Sequence, residues 1–233
     1  MSERFDGQVV LVTGGGEGIG RAAAVAFARL GALVVVAGRH LETLEGTVKL
    51  IRDAGGRADS VVADVSDTAA GAEAGAGYVV AETVRRHGAL NVAFNNTTEL
   101  GPHQPVADID ETVWAHTLTA NLTGVWLSMK HEIAHMETAG GGVIVNTASN
   151  IGSQGMLPGL GAYAASTAAV SALTRTAARE YIGRSIRINA ISPCPLGRGA
   201  SVEEIADTVV WLASDAAAYI VGHDLVLDRK TSE

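Results

Sequence analysis

The stretch Thr13-Gly14-Gly15-Gly16-Glu17-Gly18-Ile19-Gly20 decides how this chain is read. An apolar run, Val9-Val10-Leu11-Val12, precedes it and reads as a buried strand. An alanine-rich run from Arg21 to Leu30 follows it and reads as a helix. Strand, glycine loop, helix is the order that cradles a phosphate. Glycines let the backbone turn sharply and come close to a ligand, and the helix N-terminus offers free N–H groups and a partial positive charge. The glycines at 14, 18 and 20 miss the common G-x-G-x-x-G spacing. The place of the loop between strand and helix therefore carries the reading more than the spacing does.

Outward from this unit, apolar runs alternate with helical stretches. Strands are expected over 33–37, 59–63, 90–94, 143–146, 186–191 and 224–227, and helices over 41–54, 67–87, 109–138, 163–182 and 202–214. This alternation predicts an α/β fold, a single doubly wound parallel sheet with helices on both faces. No linker, composition break or repeat divides the chain, so residues 1–233 are expected to form one domain. The helix over 67–87 fits worst. Gly71, Gly75 and Gly77 fall where it begins, and each costs about 1 kcal/mol against alanine in a helix interior. A loop or a frayed helix start is expected there.

The net charge of −8, with no basic stripe, argues against nucleic acid and anionic membranes as partners. Cys194 is the only cysteine, so no intrachain disulfide can form and a reducing compartment is the default. The N-terminus lacks the basic-then-apolar pattern of a signal peptide, and no apolar run is long enough to span a bilayer. A cytoplasmic location is expected.

In a dinucleotide site the end of the second strand selects the cofactor. A carboxylate there holds a ribose 2′-hydroxyl, whereas an arginine accepts a 2′-phosphate. This chain has Gly38-Arg39-His40 and no acid, which favours NADP, with NAD as the alternative. Glu17 in the glycine loop works against a phosphate nearby, so the two residues disagree. Arg39 weighs more because the ribose carboxylate is missing outright.

Beyond the loop, Asp64-Val65, Asn95-Asn96, Asn121-Leu122-Thr123-Gly124, Ser149 and Tyr163 follow in a set order. Asn189-Ala190-Ile191-Ser192-Pro193 and Trp211-Leu212-Ala213-Ser214-Asp215 continue it. In order and approximate spacing the chain resembles the short-chain dehydrogenase/reductase family over essentially its whole length. The resemblance implies a Rossmann-type fold and hydride transfer between a nicotinamide cofactor and a carbonyl or alcohol. It implies that Gly14, Gly18 and Ile19 line the pyrophosphate, with Gly16 and Glu17 from the same loop. Asp64 and Val65 would hold the adenine, and Asn95 would sit beside the cofactor at the end of the fourth strand. Thr97, Pro193, Tyr163 and Thr167 would complete the cofactor contacts. Tyr163 would be the general acid/base, Ser149 would hydrogen-bond the substrate oxygen, and Asn121 would hold a water in the proton relay. The chemistry is consistent with these roles, since hydride transfer needs a proton donor or acceptor at the substrate oxygen. The resemblance also implies a homo-oligomer, dimer or tetramer, packed through the helices at 109–138 and 163–182.

The pattern breaks in several places. Thr167 stands where the family has the lysine that lowers the tyrosine's pKa. A free tyrosine titrates near 10, so bringing it to neutrality takes about 4 kcal/mol, which a neutral hydroxyl does not supply. Alcohol oxidation needs the phenolate, about one part in a thousand at pH 7, whereas carbonyl reduction needs the phenol already present. Reduction is therefore the expected direction, with Thr167 kept among the catalytic positions. Thr97-Thr98 replaces Ala-Gly, and the stretch after Pro193 is too short for the family's substrate lid. Asp228-Arg229-Lys230 replaces Asp-Gly-Gly, and Ser149 and Tyr163 stand slightly farther apart than the family pattern has them. Arg198 is the candidate to replace the lysine's charge. These departures keep open an alternative: a catalytically impaired member that acts by binding a dinucleotide or a partner.

His131-Glu132-Ile133-Ala134-His135 matches the H-E-x-x-H zinc pattern. It is expected to be an exposed polar helix face away from the cofactor, and no metal is expected.

Overall fold

The computed structural model describes residues 4–67, 74–153, 157–194 and 200–227. Among them are seven strands: β1 (Val9–Thr13), β2 (Leu33–Gly38), β3 (Arg57–Val62), β4 (Val92–Asn95), β5 (Gly142–Thr147), β6 (Ile186–Pro193) and β7 (Asp224–Leu227). They form one sheet in the order β3-β2-β1-β4-β5-β6-β7, parallel at every pairing. The helices are α1 (Gly18–Arg29), α2 (Leu41–Asp53), α3 (Ala76–His87), α4 (Glu111–Leu118), α5 (Gly124–Ala139), α6 (Asn150–Ser153), α7 (Gly161–Tyr181) and α8 (Val202–Ala213).

The sheet is covered on both faces, which is why its inner strands read as unbroken apolar runs. Side chains alternate across it. Val10, Val12, Val34 and Val36 pack with Phe27 of α1, Leu44 of α2 and Leu212 of α8. Val9, Leu11, Val35 and Ala37 pack on the other face with Val79 of α3, Met129 of α5 and Val170 of α7. A register slip by one residue in any inner strand would exchange these two sets. α8 starts sharply because Ser201 and Glu204 form a capping box, Glu204 N–H donating to Ser201 Oγ at 3.2 Å and Ser201 N–H to Glu204 Oε2 at 2.8 Å.

The chain runs outward from β1 to β2 and β3, then returns to place β4 on the other side of β1. That reversal leaves a gap between connections at the C-terminal ends of β1 and β4, the position where open α/β sheets bind ligands. Among the described residues no helix is long and apolar enough to cross a membrane.

Two helical expectations are modified. α3 begins at Ala76 with Gly75 as its N-cap, so the glycines shorten the expected helix from its start. Residues 68–73 lie outside the described ones. The stretch expected as one helix over 109–138 is α4 and α5 joined by a π-helical turn, Thr119–Thr123.

Candidate active site

The glycine loop leaves β1 at Thr13 and turns through Gly14, whose φ is +61°. A Cβ there would lie 2.7 Å from the Asn96 carbonyl oxygen, so only glycine fits the turn. A Cβ on Gly20 would lie 2.2 Å from the Gly14 carbonyl oxygen, so glycine lets α1 pack directly on the loop. The loop is held from the α2 side. Arg21 donates to the Gly16 carbonyl and, through Nε, to Thr47 Oγ1 at 3.1 Å. Thr47 in turn donates to the Gly15 carbonyl at 2.9 Å.

This loop forms one wall of a crevice of about 290 Å³. Gly14, Gly16, Glu17, Gly18 and Ile19 line it from the loop. Arg39 and His40 line it from the end of β2, Asp64 and Val65 from the end of β3, and Asn96, Thr97 and Thr98 from the end of β4. The Asp64 carboxylate is fixed by accepting from Ser66 N–H at 2.9 Å and Ser66 Oγ at 2.7 Å. Arg39 and Glu17 both face the crevice, so the opposition read from the sequence persists in space. The crevice fits a dinucleotide: a glycine turn, the N-terminus of α1 and an arginine at the β2 end supply what a pyrophosphate and an adenosine end require.

Asn95 does not face this crevice. Its side chain turns into the interior, fully buried, and donates to Glu132 Oε2 and Asn146 Oδ1, each at 3.0 Å. The residue that lines the crevice is its neighbour Asn96. Its N–H donates to Thr13 Oγ1 at 3.1 Å, joining β1 and β4 at the switch point. Its Oδ1 accepts from Thr147 Oγ1 of β5 at 3.2 Å. Strand alternation places one member of the Asn95-Asn96 pair inside and the other at the crevice, and the sequence alone does not say which. Asn96, His40, Thr43 and Thr98 are among the lining residues to which the sequence alone gives no role. His40 was detectable, since it directly follows Arg39 at a strand end.

Ser149 follows the end of β5, and Tyr163 stands in the first turn of α7. The two hydroxyls are hydrogen-bonded. Burial pushes the Tyr163 phenol above its ordinary value, the Ser149 hydrogen bond opposes the rise, and the Cys194 thiol beyond β6 adds to it. No cation among the described residues acts on this phenol. Thr167 does not substitute for one. It is buried and donates its hydroxyl to the carbonyls of its own helix, Tyr163 O at 3.0 Å and Ala164 O at 3.3 Å. Arg198 lies outside the described residues, as do the shortened lid stretch at 195–199 and the segment 228–230. Pro193 is the last residue of β6, at the same sheet edge as the crevice.

Asn121 sits in the π turn between α4 and α5, where the wider winding frees a side chain from the regular ladder. Its Oδ1 accepts from Glu99 N–H at 2.7 Å, and its Nδ2 donates to the Glu99 carbonyl at 2.8 Å and to Ser166 Oγ at 3.2 Å. Asn121 thus pins the segment that follows β4 to α7, one turn from Tyr163.

The H-E-x-x-H stretch is not an exposed polar face. Glu132 is fully buried and reaches Asn95 at the end of β4. Position i+1 of the motif faces the sheet because the π turn sets the phase of α5. His131 packs over Gly77 of α3, and burial lowers its pKa. Among the described residues no group of three or more His, Cys, Asp or Glu side chains is placed to hold a metal.

The sequence model described as "short chain dehydrogenase" matches residues 8–207, and the chain belongs to the short-chain dehydrogenase/reductase family of NAD(P)-dependent oxidoreductases. It is 35% identical to a cis-4-hydroxycyclohexanecarboxylate dehydrogenase of Sinomonas cyclohexanicum over 250 residues, covering 98% of each chain. It is 35% identical to a cyclohexanol dehydrogenase of Acinetobacter sp. (strain SE19), covering 98% of this chain and 96% of the other. Both alignments are longer than the 233 residues of this chain, so gaps fall within it. The solved structure of levodione reductase superposes with a TM-score of 0.90 at 32% identity, covering 97% of both chains.

Proposed function

We propose that this protein is an NADP-preferring reductase of ketones, alicyclic ones in the first instance. The observation that carries the reading is the Ser149–Tyr163 pair: a buried phenol, hydrogen-bonded to serine, whose proton affinity burial raises. The nicotinamide cofactor, when bound, supplies or takes up the hydride. The chain's own part is to hold the ketone oxygen against the Ser149 and Tyr163 hydroxyls and to deliver the phenolic proton as negative charge develops there. A phenol that is fully protonated at neutral pH suits that delivery and does not suit proton abstraction from an alcohol. Relatives named for cyclohexanol and for a hydroxycyclohexanecarboxylate support an alicyclic substrate.

Gly14, Gly16, Gly18 and Ile19 would hold the pyrophosphate, Asp64 and Val65 the adenine, and Arg39 the 2′-phosphate. Thr97 would border the nicotinamide end, with Pro193, Tyr163 and Thr167 beyond it. Asn96 would take the crevice position first assigned to Asn95. Calorimetric titration with NADPH and with NADH, followed by cyclohexanone reduction, tests the reading. Tighter NADPH binding with turnover is expected. If neither dinucleotide binds, the enzyme reading falls and a partner-binding role takes its place.

Exchanging Arg39 for aspartate should invert the preference. Losing one charge-assisted hydrogen bond to phosphate should weaken NADPH binding by about 10- to 100-fold, and the new carboxylate should favour NADH. An unchanged NADPH/NADH affinity ratio would remove Arg39 from the site.

A cytoplasmic dimer or tetramer is proposed as the working form. Trp114 on α4 and Trp126 on α5 are 41% and 45% exposed, an apolar surface of the kind subunit contacts cover. Light scattering should give a mass of at least two chains; a monomer would contradict it.

A further inference from the structure

One carboxyl has no part in the reaction above, yet it lies beneath the site. Glu132 of α5 is fully buried, and its Oε2 accepts from Asn95 Nδ2 at 3.0 Å. The other hydrogen of Asn95 Nδ2 goes to Asn146 Oδ1 at 3.0 Å, and Asn146 Nδ2 donates to Thr174 Oγ1 of α7 at 2.9 Å. Two buried oxygens are left over, one on each of the first two side chains: Glu132 Oε1 and Asn95 Oδ1. Neither can donate if the glutamate is ionised. A buried carboxylate with an unpartnered oxygen beside an unpartnered amide oxygen is an unfavourable arrangement. One proton on Oε1 resolves both defects. The acid then donates to Asn95 Oδ1 while accepting from Asn95 Nδ2, the closed ring of a carboxylic acid–primary amide pair.

The ring would tie more than α5. Asn95 ends β4 and leads directly into Asn96 of the crevice. Asn146 of β5 precedes Thr147, which donates to Asn96, and stands three residues before Ser149. We infer that Glu132 is a positioning residue that works as a neutral acid, its proton closing the ring with Asn95 and so holding the ends of β4 and β5 in place.

The charged neighbours leave this carboxyl alone. Glu82, Arg85 and Arg86 of α3 pair with one another, and Arg86 also pairs with Asp59. Arg175, Arg179 and Glu180 of α7 are exposed, and Arg187 of β6 donates to carbonyls at the end of α8. His131 on α5 itself packs over Gly77, while His135 Nε2 is buried without a partner. Burial accordingly pushes the Glu132 carboxyl up to about 8, the Asn95 hydrogen bond drawing it partly back. The folded-state value lies above the ordinary 4.5. The stability this proton contributes is therefore complete below about pH 4.5 and is lost as pH rises to about 8.

The test compares urea unfolding of the wild type and Glu132→Gln from pH 5 to 9. Glutamine offers the same ring without a titrating proton. The wild-type folding constant should fall relative to E132Q by about tenfold per pH unit up to about 8, then run parallel to it. Curves that stay parallel throughout would show an ionised Glu132 and overturn the inference. Hydrogen exchange reads the positioning separately. In Glu132→Ala the amides of Asn96 and Thr147 should exchange about tenfold faster than in the wild type, and in E132Q at the wild-type rate. Unchanged exchange in a folded E132A would overturn the positioning role. Both readouts are independent of cofactor, so the proposed function can fail without them.

Discussion

Replacing Tyr163 by phenylalanine should lower ketone reduction by about 10²- to 10⁴-fold while leaving NADPH affinity nearly unchanged. The ring fills the same buried volume, so the fold keeps its packing and only the proton donor is lost. Steady-state kinetics with cyclohexanone, alongside calorimetric titration of the variant, would measure both halves. The same buried phenol predicts a pH dependence. Its raised pKa keeps the proton in place through neutral pH, so the reduction rate should stay level there and fall only at strongly alkaline pH. A Y163F variant that turns over as the wild type does would remove the tyrosine from the chemistry, whatever the cofactor binding shows.

Gly20→Ala should weaken dinucleotide binding by up to about tenfold while lowering stability. The added methyl would meet the Gly14 carbonyl oxygen at 2.2 Å and the Gly14 carbonyl carbon at 2.8 Å. These are backbone atoms of the turn itself, so relief requires moving either α1 or the glycine loop that lines the crevice. Overpacking of this kind costs about 1–3 kcal/mol in stability, occasionally more. If half of such a cost appears in the loop, NADPH affinity falls by about 2- to 13-fold. Titration calorimetry and a urea midpoint on the same preparation would separate the two effects. Full affinity in G20A would mean that the loop does not contact the cofactor.

Much of this architecture was legible in the sequence because burial on both faces leaves its mark. Val9–Val12 and Val34–Val36 have no polar side to show, and only a parallel sheet between helix layers makes such runs. The glycine loop was legible for a similar reason, since backbone against backbone admits only one residue type. Three features were not. The π turn at Thr119–Thr123 depends on hydrogen bonds that skip an extra residue, and no side-chain periodicity announces it. The choice between Asn95 and Asn96 depends on where β4 stops, which is set by its register with β1 and β5. Glu132 reads as a surface residue from the sequence because charged side chains nearly always are. Its burial follows from a partner on another strand, a long-range fact that spacing on a helix cannot carry. Thr167 shows the converse: the sequence puts a neutral residue where the family pattern has a lysine, and the structure adds that its hydroxyl is occupied by its own helix.

The π turn also has a bearing on how this chain can vary. One additional residue rotates everything after it by about 100° relative to a regular helix. That offset sets how α5, with Trp126 at the surface and Glu132 turned inward, is oriented relative to Trp114 before the turn. The turn therefore behaves as a phase adjuster between two surfaces that obey different rules. Substitutions within Thr119–Thr123 change one side chain, but a single-residue deletion there would turn the whole of α5 about its axis. It would carry the Glu132 carboxyl out of its niche beside Asn95, so length in these five positions is more tightly constrained than identity.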